Sequence, residues 1–130
     1  MSAAYVDTSA MVSIELQESA RGTLLESFRS FETLFAANLL EAELRAALHR
    51  EGVAEVPAFL DSVTWIFPVR AMSGEMRDIL QVGYLRGADL WHLATALYAS
   101  PNPGDLTFIS LDAQQRKVAA LLGFPVAPAN

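Results

Sequence analysis

The sequence contains no cysteine, which excludes disulfides and thiolate metal sites. Its apolar runs fall far short of the ~20 residues that a membrane-spanning helix needs. Residues Met1 to Asp7 offer no basic stretch ahead of an apolar one, so they do not read as a secretory signal. A cytoplasmic protein without membrane contact is the expectation. Positive charge is scarce too: 15 acids stand against 9 bases, for a net charge of −6, and Lys117 is the only lysine. Nucleic-acid affinity usually begins with basic surface, so nothing in this balance points to a polyanion partner. It does not exclude one, because carboxylates gathered at a metal site lower the total although a bound cation neutralises them. There is no internal repeat, low-complexity tract or linker. With 52% hydrophobic residues, the 130 residues have enough apolar material for one core, and a single domain over 1–130 is expected.

The chain is organised around Gly87 to Tyr98, where Leu90, Leu93, Ala94, Leu97 and Tyr98 recur at helical spacing and predict a buried helix. Before it, Ala3 to Asp7 predicts a strand ending in an acid, followed by a helix through Ala10, Met11 and Ile14 that Thr8 or Ser9 would cap. A helix over Glu18 to Arg29 has Leu24, Leu25 and Phe28 as its inner stripe. Leu34 to Ala37 is a second strand, and Asn38 caps a long helix to Arg50 that Gly52 stops. Val56 to Val63 reads as a helix and Thr64 to Phe67 as a strand, ended early or kept at an edge by Pro68. Ser73 caps a helix to Leu85, and Ser100 to Asp105 is a loop. Leu106 to Leu111 is the clearest strand, followed by a helix from Ala113 to Leu122, a stop at Gly123 and a short last strand over Pro125 to Ala127. Strands alternating with helices imply a parallel sheet with right-handed crossovers, hence an α/β fold.

Several acids share a pattern in this arrangement. Asp7 and Asp112 each follow a strand and open a helix, and Asp89 opens the central helix. Parallel strands all point their carboxyl ends the same way, so these acids can converge on one edge, where ligands bind in such folds. Each also has a plainer reading as an N-cap. Glu41 precedes Arg45 by four residues and reads as half of a surface pair. Glu43 is turned about 200° from it among Leu39, Leu40, Ala46 and Ala47, and is the better candidate for a cleft; a surface position stays open for it.

The segments Tyr5-Val-Asp-Thr-Ser-Ala10, Leu40-Glu-Ala-Glu-Leu-Arg45, Asp89-Leu-Trp-His-Leu-Ala-Thr-Ala-Leu97, Phe108-Ile-Ser-Leu-Asp112 and Leu121-Leu-Gly-Phe124 together resemble the PIN-domain ribonucleases, in particular the VapC-type toxins of toxin–antitoxin pairs. The likeness covers essentially the whole chain. Its strongest piece is the Asp-x-x-His-Leu-Ala-Thr-Ala run; its weakest is the Glu43 segment, where the match can drift to Glu41. Asn38 departs from it, standing where many relatives carry serine. The resemblance implies a three-layer α/β/α sandwich with a mainly parallel sheet of four to five strands. It implies Mg²⁺- or Mn²⁺-dependent endonucleolytic cleavage of RNA, of the tRNA or rRNA class, at Asp7, Glu43, Asp89 and Asp112. It further implies inhibition by a small DNA-binding antitoxin, and a homodimer.

The chemistry is compatible. Two carboxylates about 5 Å apart repel by about 3 kcal/mol at an effective dielectric of ~20, so four in one cleft require raised pKa values or a cation. A hard divalent ion suits an all-oxygen, cysteine-free donor set. Thr8, Ser9 and Ser110 would orient ligands as hydroxyls behind them, or are turn residues. His92, one turn after Asp89, is either a proton donor or substrate contact or a hydrogen-bonded structural histidine. Arg86, Arg116 and Lys117 lie close in sequence to two of the acids and are candidates for the RNA backbone; Trp91 is a candidate for base stacking. Met11, Ile14, Leu16, Leu24, Leu25, Phe28 and Phe31 suggest a surplus apolar groove for an antitoxin segment. Two other functions are compatible with the sequence: a housekeeping PIN nuclease in RNA processing, and a metal-free interaction module of the same fold.

Overall fold

Alternation along the strands decides this fold. In the computed structural model, which describes residues 2–54 and 58–129, successive strand side chains go to opposite faces of one sheet. Its strands are β1 (Ala3–Val6), β2 (Thr33–Ala37), β3 (Val63–Ile66), β4 (Thr107–Ile109) and β5 (Val126–Ala127). Ala4, Val6, Ala36, Val63 and Ile109 feed one buried cluster; Tyr5, Ala37, Ile66 and Phe108 feed the other. The helices are α1 (Thr8–Glu15), α2 (Arg21–Arg29), α3 (Leu39–Arg50), α4 (Ser73–Val82), α5 (Gly87–Ala99) and α6 (Ala113–Leu122). Met11 and Ile14 of α1, Leu24 and Phe28 of α2 and Leu40, Leu44 and Leu48 of α3 cover the first face. Ile79 of α4, Leu93, Ala94 and Ala96 of α5 and Val118 and Ala119 of α6 cover the second. The expected three-layer α/β/α sandwich is the observed one.

The strand order is β3-β2-β1-β4-β5, with every pairing parallel. The chain moves outward from β1 to one edge, crosses back, and fills the other side. The order therefore reverses at β1, and a crevice opens between the carboxyl ends of β1 and β4, the position where doubly wound sheets bind ligands. β3 lies at an edge, in keeping with Pro68.

Several local expectations are corrected. Asp7, not Thr8 or Ser9, caps α1, accepting from the Ser9 N–H. The helix expected from Glu18 begins at Arg21. Asn38 occupies the cap position of α3 without a side-chain cap bond, because its own backbone is already helical at φ −55°, ψ −27°. Ser73 is the first residue of α4 rather than its cap, and α4 ends at Val82 because Gly83 is extended. The helix expected over Val56 to Val63 is a single 3₁₀ stretch, Ala58–Ser62, with Val63 opening β3; residues 55–57 lie outside the described residues. The strand expected from Leu106 to Leu111 narrows to β4, since a 3₁₀ turn at Pro103–Asp105 runs up to Leu106. The α5 stripe is also broader than its spacing suggests: His92 to Ala96 are five consecutive buried residues, while Leu90, Leu97 and Tyr98 are partly buried. Finally, the seven apolar residues expected to leave a groove belong to the first core. Met11, Ile14, Leu24 and Phe28 are buried, and Leu16, Leu25 and Phe31 pack against them. Among the described residues, no helix is long and apolar enough to cross a membrane.

Two glycines test the packing in opposite directions. A Cβ at Gly83 would stand 2.8 Å from Val118 Cγ2, whereas one at Gly22 on α2 meets nothing within 4 Å. Gly83→Ala is expected to destabilise the fold by about 1–3 kcal/mol through overpacking. Gly22→Ala should stabilise it by about 0.5 kcal/mol by restricting the unfolded chain. Urea unfolding of both variants measures each.

Candidate functional site

A cleft of about 470 Å³ lies at the sheet's carboxyl edge, lined by the expected acids Asp7, Glu43, Asp89 and Asp112, by a fifth acid, Glu18, at its rim, and by Thr8, Ser9, His92 and Arg50. Four elements deliver the expected acids. Asp7 ends β1, and its N–H donates to the Ile109 carbonyl of β4 at 2.9 Å. Asp112 follows β4 and caps α6, accepting from the Gln115 N–H at 2.8 Å. Asp89 lies in the first turn of α5. Glu43 projects from α3, while Glu41, two residues earlier, is paired with Arg45 at 2.7 Å on the surface. The glutamate that reaches the cleft is Glu43.

The cap readings hold for two acids and fail for the third. Asp7 and Asp112 are both N-caps, yet both line the cleft. Capping uses one acceptor direction of a carboxylate that has about four, so the roles are compatible. Asp89 is not the cap of its helix; Arg86 holds that position, with no side-chain cap bond.

Asp7 is only 3% exposed and is held by hydroxyls. Ser9 Oγ donates to its Oδ2 at 2.6 Å and Ser110 Oγ to the same oxygen at 3.2 Å. Ser110 is in turn 3.1 Å from the buried Gln115 Oε1, and the Gln115 amide donates to the Asp89 carbonyl at 3.2 Å. Glu43 is held differently. Thr8 Oγ1 donates to its Oε1 at 2.8 Å, and His92 Nε2 lies 2.6 Å from that oxygen. Thr8 and His92 therefore serve Glu43, and Ser9 and Ser110 serve Asp7, so all four residues behind the acids bond to an acid of the cleft. His92 takes the hydrogen-bonded structural role, 1% exposed, with Nδ1 2.8 Å from the Tyr5 hydroxyl.

The electrostatics follow from these contacts. Burial pushes the Asp89 carboxyl up, and the negative charges of Asp7 and Asp112 push it further, outweighing His92 and Arg86. Burial also pushes Glu43 up, but hydrogen bonds from His92 and Thr8, with the field of the His92 ring, outweigh it and hold the group below the usual glutamate value. Among the described residues, no three Asp, Glu or His side chains are gathered as a ready coordination sphere. Glu43 is drawn to His92 and Thr8, and Asp7 to Ser9 and Ser110.

The basic candidates divide. Arg86 is exposed and its charge is felt at Asp89. Arg116 is part-buried and its guanidinium donates to two carbonyls, Ser110 at 2.8 Å and Pro128 at 2.6 Å, so it ties the C-terminal segment to the end of β4. Lys117 is exposed and lines a neighbouring hollow with Arg116, outside the acidic cleft. Trp91 also lies apart, on an apolar hollow with Asn38, Leu39, Gly87 and Ala88. The sequence reading missed Arg50, Tyr5 and Gln115. Arg50 had a findable signal: on α3 it is seven residues, two helical turns, beyond Glu43. Tyr5 and Gln115 had none, because their partners are distant in sequence. No known family model matches the chain, and no curated protein does.

A carboxyl with a raised folded pKa binds its proton more tightly folded than unfolded. Its contribution to stability is therefore present at low pH and lost as pH rises from the ordinary carboxylate range through the raised value. Above that window ionised Asp89 is a net cost. In EDTA at pH 7, Asp89→Asn is expected to raise Tm by about 2 °C, a shift kept small by partial solvent screening. It should also flatten the fall in Tm between acid and neutral pH. Asp112→Ala removes a cap and should cost about 1 kcal/mol, read from the same melts.

Proposed function

We propose that this chain is a divalent-metal-dependent endoribonuclease of the PIN kind, acting as the toxin of a VapC-type toxin–antitoxin pair. The observation that carries the reading is the meeting of Asp7, Glu43, Asp89 and Asp112 in one cleft at the switch point of a parallel sheet. The donor set fits Mg²⁺ or Mn²⁺: it is all oxygen, and Asp89, raised first by burial and then by the charges of Asp7 and Asp112, has like charge beside it that a cation would offset. Asp7 and Asp89 would be the principal ligands, with Glu43 and Asp112 completing the site directly or through water. When bound, the ion supplies an activated water for in-line attack on a phosphodiester and stabilises the leaving oxygen.

The chain's own residues orient that site. Ser9 and Ser110 fix the Asp7 carboxylate, and Thr8 and His92 fix Glu43. Arg50 in the cleft and Arg86 beside Asp89 take the RNA backbone. Arg50 replaces Arg116 in that role, whose guanidinium is engaged with carbonyls. Lys117, in the adjoining hollow, lies one step further along the same backbone path. The substrate is a structured RNA of the tRNA or rRNA class. A small DNA-binding antitoxin and a second copy of the chain are the protein partners; Leu80, Tyr84 and Leu121, exposed on and after α4 and on α6, offer apolar surface for one of them.

A metal-free interaction module is the second reading, favoured by the cap roles of Asp7 and Asp112. Incubation of total RNA and tRNA with purified protein separates the two. Discrete Mg²⁺- or Mn²⁺-dependent cuts are expected, abolished by EDTA and reduced about 10²–10³-fold in Asp89→Asn, the scale for removing an electrostatic stabiliser. Cleavage that persists in Asp89→Asn would refute the site, and a folded protein that neither cuts RNA nor binds Mn²⁺ would overturn the nuclease reading in favour of the module. Growth arrest on expression, relieved by a neighbouring small gene, separates a toxin from a housekeeping nuclease.

A further inference from the structure

A hydrogen-bonded chain runs from the middle of the sheet to the cleft. Tyr5 is fully buried in β1, its ring stacked on Phe108 at 5.4 Å and 5°. Its hydroxyl is 2.8 Å from His92 Nδ1, and His92 Nε2 is 2.6 Å from Glu43 Oε1. A carboxylate has no proton to give, so Nε2 carries the proton and donates it to Glu43. In the neutral ring, Nδ1 then accepts from the Tyr5 hydroxyl. Each bond of the chain constrains the next, and both ring nitrogens are engaged.

The chain also joins the two helical layers. The helix α3, which carries Glu43, packs into one core, and α5, which carries His92, packs into the other. The Glu43 side chain retains 31% exposure. Without a partner from α5 it would keep only the Thr8 hydroxyl of α1, and a part-exposed glutamate held by one bond has more rotamers open to it.

We propose that His92 is a positioning residue for Glu43, and that the buried Tyr5 phenol fixes the His92 ring for that task. The inference rests on the metal-site reading of Glu43, and names the residues that set its aim. A partner that orients a metal-ligating side chain is worth about 10–100-fold in metal affinity.

The test is Mn²⁺ affinity by calorimetry, with the histidine ring nitrogens read by NMR in metal-free protein; the sequence has only two histidines. His92→Leu is expected to weaken Mn²⁺ binding by about tenfold or more. His92→Gln, which keeps an N–H near the Nε2 position, should stay within about threefold, and Tyr5→Phe should lose about two- to fivefold, the worth of one hydrogen bond. In metal-free wild type one histidine should carry its ring proton on Nε2, with ring shifts that move in Tyr5→Phe. In a Glu43→Gln background, His92→Leu should add no further loss. If Glu43→Gln weakens binding while folded His92→Leu keeps wild-type affinity, the positioning role is overturned and the metal site stands. If Glu43→Gln itself leaves binding unchanged, the metal role of Glu43 is overturned. Should His92→Leu not fold, Tyr5→Phe with unchanged ring shifts and unchanged affinity overturns the proposal.

Discussion

The parallel pairing of β1 with β4 is the constraint on which the rest depends. It sets Tyr5 against Phe108 and Val6 against Ile109, and so brings Asp7 to one edge with Ser110 and Asp112, each more than a hundred residues further along the chain. The first of these is buried and bonded within the edge, and the last is turned to cap a helix. Nothing local could achieve this. The register of two short strands, enforced by burial on both faces, is what turns separate acids into a cluster.

A cluster of carboxylates is an unfavourable thing to build, and the surroundings show how it is tolerated. Asp7 receives two hydroxyl donors, Glu43 a hydroxyl and an imidazole, and Asp112 a backbone N–H. Each of those three acids has hydrogen-bond donors aimed at it. Asp89 is raised by burial first, and the charges of Asp7 and Asp112 add to it. Asp7, Glu43 and Asp112 thus have hydrogen-bond donors, while Asp89 has burial and like charge.

Much of this was legible in the sequence, for identifiable reasons. Strands alternating with helices pointed to a parallel α/β sheet, the family resemblance added the three layers, and the bounds of α6 matched because Asp112 and Gly123 punctuate both ends. The position of Glu43 followed from its 200° offset from Glu41. What was not legible depended on contacts across the fold. The span from Leu106 to Leu111 looks like one strand because apolar content does not reveal that pairing is limited to three residues. The residues from Met11 to Phe31 looked like surplus surface because a sequence does not say how much apolar face a five-stranded sheet can absorb. Arg116 looked like a phosphate contact because its carbonyl partners, Ser110 and Pro128, meet only when β5 docks. The role of Tyr5 was hidden for the same reason: its partner lies 87 residues away.

The five consecutive buried residues of α5 have a dynamic consequence. A helix enclosed around its whole circumference releases its central amides only when the entire domain opens, whereas a first turn without a side-chain cap can fray by itself. Asp89 lies in that first turn, where the Gln115 amide of α6 holds its carbonyl, while Asp7 directly follows the central strand β1. The separation of the two carboxylates therefore depends on one hydrogen bond from a neighbouring helix as well as on the sheet.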